Sequence, residues 1–418
     1  MRKFLLITYY WPPAGGAGVQ RWLGFSKYLP ENGWEPVVLT VDPAHATYPQ
    51  RDESLMNEQA AGLEVVRTKS IEPLQWYGRL VGKDRIPYGG FSNKKSNSWA
   101  SKFIRANFFI PDARRGWNRY ALSAARKLIL QHGIELIVTT GPPHSTHLIG
   151  LALQHKLKLR WIADMRDPWT EVYYNYDMPR TSPAARYDRM LERSVLGRAD
   201  AVLTASPGFA ERFNARVKRK YHVVTNGFDA YLAPLEKAPG CPLYITYTGT
   251  MAESYQPEGL FNALASLQNS DFRLRVAGSL SEGVLSMIND TGLQARLDYL
   301  GYLPHDQMLE ELRKADLLLL LSPQVQYGED IIPGKLFEYL AATKPILAVA
   351  EPFSAVADIL RETRSGEAFA HGDVGGISKC IEQLMTPMQG GVNGEATVKY
   401  KRAHLVKQVA GIFGSIVN

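Results

Sequence analysis

Asp330-Ile-Ile-Pro-Gly-Lys-Leu-Phe-Glu338 is the stretch on which the reading of this chain turns. It follows the apolar run Asp316-Leu-Leu-Leu-Leu-Leu-Ser-Pro323 and a polar loop, and it leads into Tyr339-Leu-Ala-Ala342. The run reads as a buried strand, and the segment after it as a helix opened by Pro333 and Gly334. A helix start offers backbone N–H groups and the positive end of its dipole. Lys335 stands in the first turn, with Glu338 three residues on and on the same face. Amides and an ammonium suit a phosphate, and a carboxylate one turn further suits ribose hydroxyls. The ordinary alternative is a surface Lys335–Glu338 ion pair of little energetic weight.

Strand and helix patterns alternate on both sides of this stretch. Phe4 to Tyr9, Pro36 to Val41, Leu63 to Val66, Leu136 to Thr140, Trp161 to Ala163, Ala201 to Thr204 and His222 to Thr225 are short apolar runs between turn residues. A helix is expected near Val19 to Leu29. Residues 230–242 hold three prolines and a glycine and read as a linker. A second series follows at Leu243 to Thr248, Phe272 to Ala277, Leu297 to Leu300, Leu317 to Leu321 and Pro345 to Ala350. The pattern predicts an α/β protein of two Rossmann-like, doubly wound domains facing across a cleft. The expected boundaries are 1–229, a linker at 230–242, a second domain at 243–397, and a helix at 398–418 packing back toward the first domain.

A chain of 418 residues is too long for one ordinary domain, and 45% hydrophobic with 21% charged residues is a globular composition. Cys241 and Cys380 supply neither a disulfide framework nor metal spacing, so a reducing compartment is expected. The start of the chain reads as a strand rather than a signal peptide, and Leu317 to Leu321 is far too short to span a bilayer. Charge is uneven: residues 1–229 hold 33 Lys and Arg against 20 Asp and Glu, and the remainder 15 against 21. Twelve of those cations lie between Arg79 and Lys127, interleaved with aromatics including Tyr88, Phe91, Trp99, Phe103 and Trp117. Such a segment suits an anionic membrane surface, and no nucleic-acid-binding module accompanies it.

Several motifs recur in a fixed order. They are a Gly-rich first loop, Asn226-Gly-Phe-Asp229 before the linker, a strand ending at Gly249, and Ala277-Gly278. Leu300-Gly-Tyr-Leu-Pro304, Ala315-Asp316 before an apolar strand, and an acid eight positions before Glu338 complete the set. Together they resemble the retaining glycosyltransferases of family 4, or group 1, with the GT-B fold. The resemblance implies a nucleotide-diphospho-sugar donor on the second domain, an acceptor hydroxyl on the first, and no metal or other cofactor. It implies that Glu338 binds the ribose and that Asp330 faces the donor sugar or the reacting centre as a catalytic residue, with Glu329 as the competing acid. It further implies base contacts near Tyr302 and Leu303, and phosphate contacts at Gly249, Thr250, Gly334 and Lys335. Where the family commonly places an arginine and a lysine after the Gly249-type strand, Gly249-Thr-Met-Ala-Glu-Ser-Tyr-Gln-Pro-Glu258 has no cation. A departing diphosphate needs positive charge, which leaves Lys335 as the expected catalytic cation.

Three loops of the first domain are expected to contact the acceptor. In Pro12-Pro-Ala-Gly-Gly-Ala-Gly-Val-Gln-Arg21, Gly15 and Gly16 admit a ligand close to the backbone, and Arg21 supplies a cation. In Gly141-Pro-Pro-His-Ser-Thr-His147, His144 is preferred over His147 as a catalytic or hydroxyl-binding group. In Asp164-Met-Arg-Asp-Pro-Trp169, Arg166 and Asp167 either contact substrate or close the loop by an internal salt bridge. A dinucleotide site is the rival for the first loop, with Asp42 ending the second strand, but the third glycine is missing. The resulting expectation is a cytoplasmic enzyme, peripheral on the inner face of the cytoplasmic membrane, acting on a glycan or lipid-linked acceptor in cell-surface polysaccharide or lipopolysaccharide assembly. A sugar-nucleotide epimerase of the same fold and a catalytically silent membrane-associated scaffold are the alternatives.

Overall fold

Runs rich in Leu, Ile and Val become strands, and among the described residues every pairing between strands is parallel. A computed structural model describes the chain apart from residues 49, 73–98, 177, 236, 239, 268–269 and 385–393. By contact it divides into two units, Met1–Thr225 with Leu405–Asn418, and Asn226–His404.

The first unit carries β1 (Arg2–Ile7), β2 (Trp34–Val41), β3 (Glu64–Thr68), β4 (Leu136–Gly141), β5 (Arg160–Met165), β6 (Ala201–Thr204) and β7 (His222–Val223). Their order in the sheet is β3-β2-β1-β4-β5-β6-β7. The second unit carries β8 (Leu243–Thr248), β9 (Phe272–Ala277), β10 (Leu297–Gly301), β11 (Leu317–Leu321), β12 (Ile346–Val349) and β13 (Gly366–Phe369), in the order β10-β9-β8-β11-β12-β13. Parallel strands buried on both faces must be apolar throughout, and β11 is five leucines, all buried. The edge strand β13 was not expected, because Gly366-Glu-Ala-Phe369 has little strand character of its own. A β-carbon at Gly366 would lie 1.7 Å from the Ile346 carbonyl oxygen, so glycine permits the pairing with β12.

Each sheet reverses its strand order once, between β1 and β4 and between β8 and β11. At such a reversal, adjacent connections leave to opposite faces and open a crevice beyond the carboxyl ends of the strands. The loops after β1 and β4 contain Gly15, Gly16 and His144, and those after β8 and β11 contain Gly249, Thr250 and Asp330. Topology therefore places both candidate groups where open α/β sheets bind ligands.

The last helix, Arg402–Val417, packs its apolar side on the first sheet. Phe413 meets Phe4 and Trp34 edge-on, with ring centroids 5.1 and 5.2 Å apart. Asn226-Gly-Phe-Asp229 falls in the second unit: Phe228 exchanges backbone hydrogen bonds with Tyr400 and Arg402, and Arg402 pairs with Asp229 at 2.9 Å. Among the described residues no helix is long and apolar enough to cross a membrane.

Candidate functional site

In the second unit the site grows from the end of β8. Gly249 turns the chain with φ of 96°, a left-handed conformation that favours glycine. Lys335, first residue of the helix Lys335–Ala342, reaches this turn: its Nζ donates to the Thr248 carbonyl at 2.6 Å and lies 3.9 Å from the Tyr247 ring centroid. A β-carbon at Gly249 would sit 3.1 Å from that Nζ, so a larger residue would crowd the ammonium as well as strain the turn. Tyr339 braces the same strand end, its hydroxyl accepting the Thr248 N–H at 3.0 Å. Burial pulls the Lys335 pKa down to about 7, opposed by neighbouring Glu338. The carbonyl and the ring face also favour the charged form, as would an incoming anion.

The helix start is more closed than the sequence suggested. The Leu336 and Phe337 amides bond back to the carbonyls of Pro333 and Gly334 at 3.0 and 3.2 Å. That leaves the Gly334 and Lys335 amides without an acceptor among the described residues. One turn on, Glu338 accepts a hydrogen bond from the His305 ring at 3.0 Å. His305 follows the β10 loop holding exposed Tyr302 and half-buried Leu303, so Gly249, Lys335, Glu338 and that loop form a connected set. Sequence reasoning missed His305. Its signal was its place directly after Leu303-Pro304, and only the fold reveals its reach to Glu338. Asp330 and Glu329 share the one-turn helix Gly328–Asp330, both half-buried, behind Tyr327 at φ of 66°. A bulky residue held there is strained, which is common beside functional groups.

The first unit's cations are engaged differently. Arg21 is 2% exposed and grips Asp164 through Nε at 3.1 Å and Nη2 at 2.9 Å. Its Nη1 donates to the Val224 and Thr225 carbonyls at 2.8 and 2.9 Å. Asp164 also accepts from Trp22 Nε1 at 2.7 Å and Thr140 Oγ1 at 2.8 Å. This corrects the assignment of Arg21 to the acceptor: its donors tie the first helix to β5 and to the end of the unit. Arg166 closes its loop, but among the described residues it does so through carbonyls and not a carboxylate. It donates to the carbonyls of Gly141 at 2.9 Å, Pro142 at 2.9 Å and Gly18 at 2.5 Å, fixing the Gly-rich loop beside the His144 loop. Asp167 is half-buried, and burial raises its pKa against the lowering effect of Arg166. Gly15 is half-buried and Gly16 exposed, with φ of 92° at Gly16.

His144 lies past the end of β4, buried, with neither ring nitrogen hydrogen-bonded. Its ring stacks on Trp169 at 5.0 Å and an interplanar angle of 9°. Burial, with His147 and Arg166 nearby, holds its pKa well below the ordinary histidine value, so it is neutral near pH 7. An unpaired buried imidazole costs about 1–3 kcal/mol until a partner arrives. His147 is fixed inside the fold by Thr139 Oγ1 at 2.9 Å from Nδ1, and burial pulls its pKa down to about 3. Of the basic segment, Arg79, Lys83, Arg85, Tyr88, Phe91, Lys94 and Lys95 lie outside the described residues.

Residues 15–227 match the glycosyl transferase 4-like domain, and residues 235–388 match glycosyl transferases group 1. Among curated proteins nothing matches the sequence. Among solved structures, sucrose-phosphate synthase from Thermosynechococcus elongatus is 15% identical with a TM-score of 0.64, over 100% of this chain and 98% of that one. The lipopolysaccharide outer core galactosyltransferase WaaB is 13% identical with a TM-score of 0.61, over 99% and 100%. TarM from S. aureus, solved with Fondaparinux, alpha-GlcNAc-glycerol and UDP, is 12% identical with a TM-score of 0.57, over 100% and 97%. The two units have the two-domain GT-B fold of these proteins.

Proposed function

Because the chain belongs to the group 1 glycosyl transferases, we propose that it moves a sugar from a nucleotide-diphospho-sugar to the hydroxyl of a glycan or lipid-linked acceptor, with retention of anomeric configuration. The reading rests on one observation above all: the Lys335 ammonium is held at the Thr248 carbonyl beside the open turn at Gly249, with Glu338 one turn away. In that reading Lys335 and the amides of Gly334 and Lys335 take the diphosphate, Gly249 and Thr250 approach it, and Glu338 binds the ribose. Tyr302 and Leu303 flank the base, and Asp330 or Glu329 holds the donor sugar. His144, with Gly15, Gly16, Arg166 and Asp167, shapes the acceptor side.

The reaction breaks the bond between the anomeric carbon and the phosphate oxygen and joins that carbon to the acceptor oxygen on the same face. The acceptor proton passes to the departing phosphate, so no protein nucleophile is required. Charge then develops on the diphosphate, and positioned N–H groups and an ammonium stabilise it without reorganising. We place the enzyme in the cytoplasm, acting without metal in cell-surface polysaccharide or lipopolysaccharide assembly. A panel of nucleotide sugars, scored by thermal shift and donor hydrolysis, tests this. At least one donor should stabilise the chain and Lys335→Ala should abolish the effect, in the presence of chelator as in its absence. Stabilisation by no nucleotide would favour a silent scaffold, and conversion of donor alone to an epimer would favour an epimerase.

A further inference from the structure

The helix Ser182–Arg198 sorts its charges by face. Both of its acids point inward and are paired. Asp188 holds Trp169 Nε1 at 2.8 Å and Arg180 at 2.5 Å, and Glu192 holds Thr170 Oγ1 at 2.7 Å and Arg216 at 2.5 Å. Four arginines, Arg186, Arg189, Arg193 and Arg198, are exposed on the outer face, and none makes a salt bridge among the described residues. Steps of three and four residues put Arg186, Arg189, Arg193 and Gly197 on one stripe. A shallow groove of about 610 Å³ runs along it, lined by the four arginines with Met190 and Gly197. Like charges at this spacing repel, and among the described residues no carboxylate pairs with them.

Apolar side chains accompany the cations. Met190 is 51% exposed and Tyr187 38%. The helix Trp99–Phe108 joins the same end of the stripe: Asn107 donates to the Pro179 carbonyl at 2.9 Å and accepts from the Thr181 amide at 2.8 Å. It exposes Trp99 by 68%, Ile104 by 50% and Phe108 by 74%. Guanidinium groups pair with phosphate oxygens, and indole, phenyl and aliphatic side chains gain by leaving water at a headgroup boundary. A soluble polyanion would satisfy the first set and leave the second hydrated. We propose that this face, the arginine stripe with the neighbouring Trp99–Phe108 helix, docks on an anionic phospholipid bilayer.

The test is flotation of the full chain with vesicles of phosphatidylcholine, alone or mixed with phosphatidylglycerol. It needs neither donor nor acceptor, so its outcome is independent of the sugar-transfer reading. The chain should float with the anionic vesicles only, and less so as salt rises. Arg186→Gln/Arg189→Gln/Arg193→Gln changes only exposed side chains and should keep its unfolding midpoint. Its partition should fall roughly a hundredfold, at about fivefold per arginine. Trp99→Ser/Phe108→Ser should weaken the association that remains at high salt. The proposal is overturned if the unaltered chain ignores anionic vesicles at low salt, or if the triple variant floats as well as the parent. It is equally overturned if the chain binds heparin but no vesicle, which would assign the stripe to a soluble polyanion.

Discussion

Arg21, in the second turn of the helix Ala17–Tyr28, and Lys335, first residue of its own helix, both follow a strand at a sheet's reversal point, and both look like anion-binding cations in the sequence. The fold treats them in opposite ways. Arg21 donates to one carboxylate and two carbonyls and is sealed from solvent. Lys335 donates to a single carbonyl beside an open glycine turn and keeps two ammonium protons for another acceptor. Arg166 resembles Arg21, with three carbonyls on its guanidinium. A cation's meaning therefore depends on how many of its donors the fold already occupies, a quantity that charge counts do not contain.

The widest separation between the two should come from their alanine variants. Arg21→Ala leaves Asp164 buried with its charge uncompensated, and breaking one partner of a buried pair costs about 3–5 kcal/mol. The unfolding midpoint should drop on the order of 10 °C. Arg21→Lys should recover little, since an ammonium cannot span the same four acceptors. A stable Arg21→Lys enzyme with only a raised KM for acceptor would restore Arg21 to the substrate site. Lys335→Ala should show the reverse pattern, with an unfolding midpoint near that of the parent and turnover reduced about 10²–10³-fold. Near-normal transfer by that variant would remove Lys335 from the chemistry.

The same distinction explains what could be read from the chain. Parallel strands buried on both faces are written as apolar runs, so the two series and the break between them were visible, whereas β13 depends on a contact at Gly366. Lys335 and Glu338 share one helical turn, and local spacing puts them on one face. Their partners are remote: Thr248 lies 87 residues before Lys335, and His305 lies 33 before Glu338. The Asp164–Asp167 loop shows the limit most clearly. Its sequence suggests that Arg166 pairs with an adjacent acid, but Asp164 belongs to Arg21, 143 residues away, and Arg166 turns to backbone carbonyls. No local pattern specifies that exchange.

Titration sharpens the comparison further. With the Lys335 pKa drawn down by burial to about 7, the free enzyme loses this cation as pH rises above about 7. Affinity for a nucleoside diphosphate should then fall with pH, approaching tenfold per unit. Stability should move the other way. An unfolded lysine keeps its proton to about 10.4, so between about 7 and 10.4 the unfolded chain binds the extra proton and stability from this group rises with pH. Lys335→Arg should flatten the affinity profile even where crowding at Gly249 weakens binding. A parent profile that is itself flat from pH 6 to 9 would mean that the ammonium is not what the diphosphate meets.

The smallest effect expected is at His305, which touches Glu338 and, in this reading, not the reacting atoms. One hydrogen bond orienting a carboxylate contributes about 1 kcal/mol, or roughly fivefold in affinity. His305→Ala should raise KM for the donor by about that factor and leave kcat unchanged, because ribose is held alike in ground and transition states. His305→Gln, which can still donate to the carboxylate, should recover most of it. Glu338→Ala serves as the reference. If it weakens the nucleotide strongly while both His305 variants behave as the parent, Glu338 orients itself without help. If Glu338→Ala has no effect on the nucleotide, the ribose is held elsewhere, and the connected set from β8 to the β10 loop must be divided again around Lys335 alone.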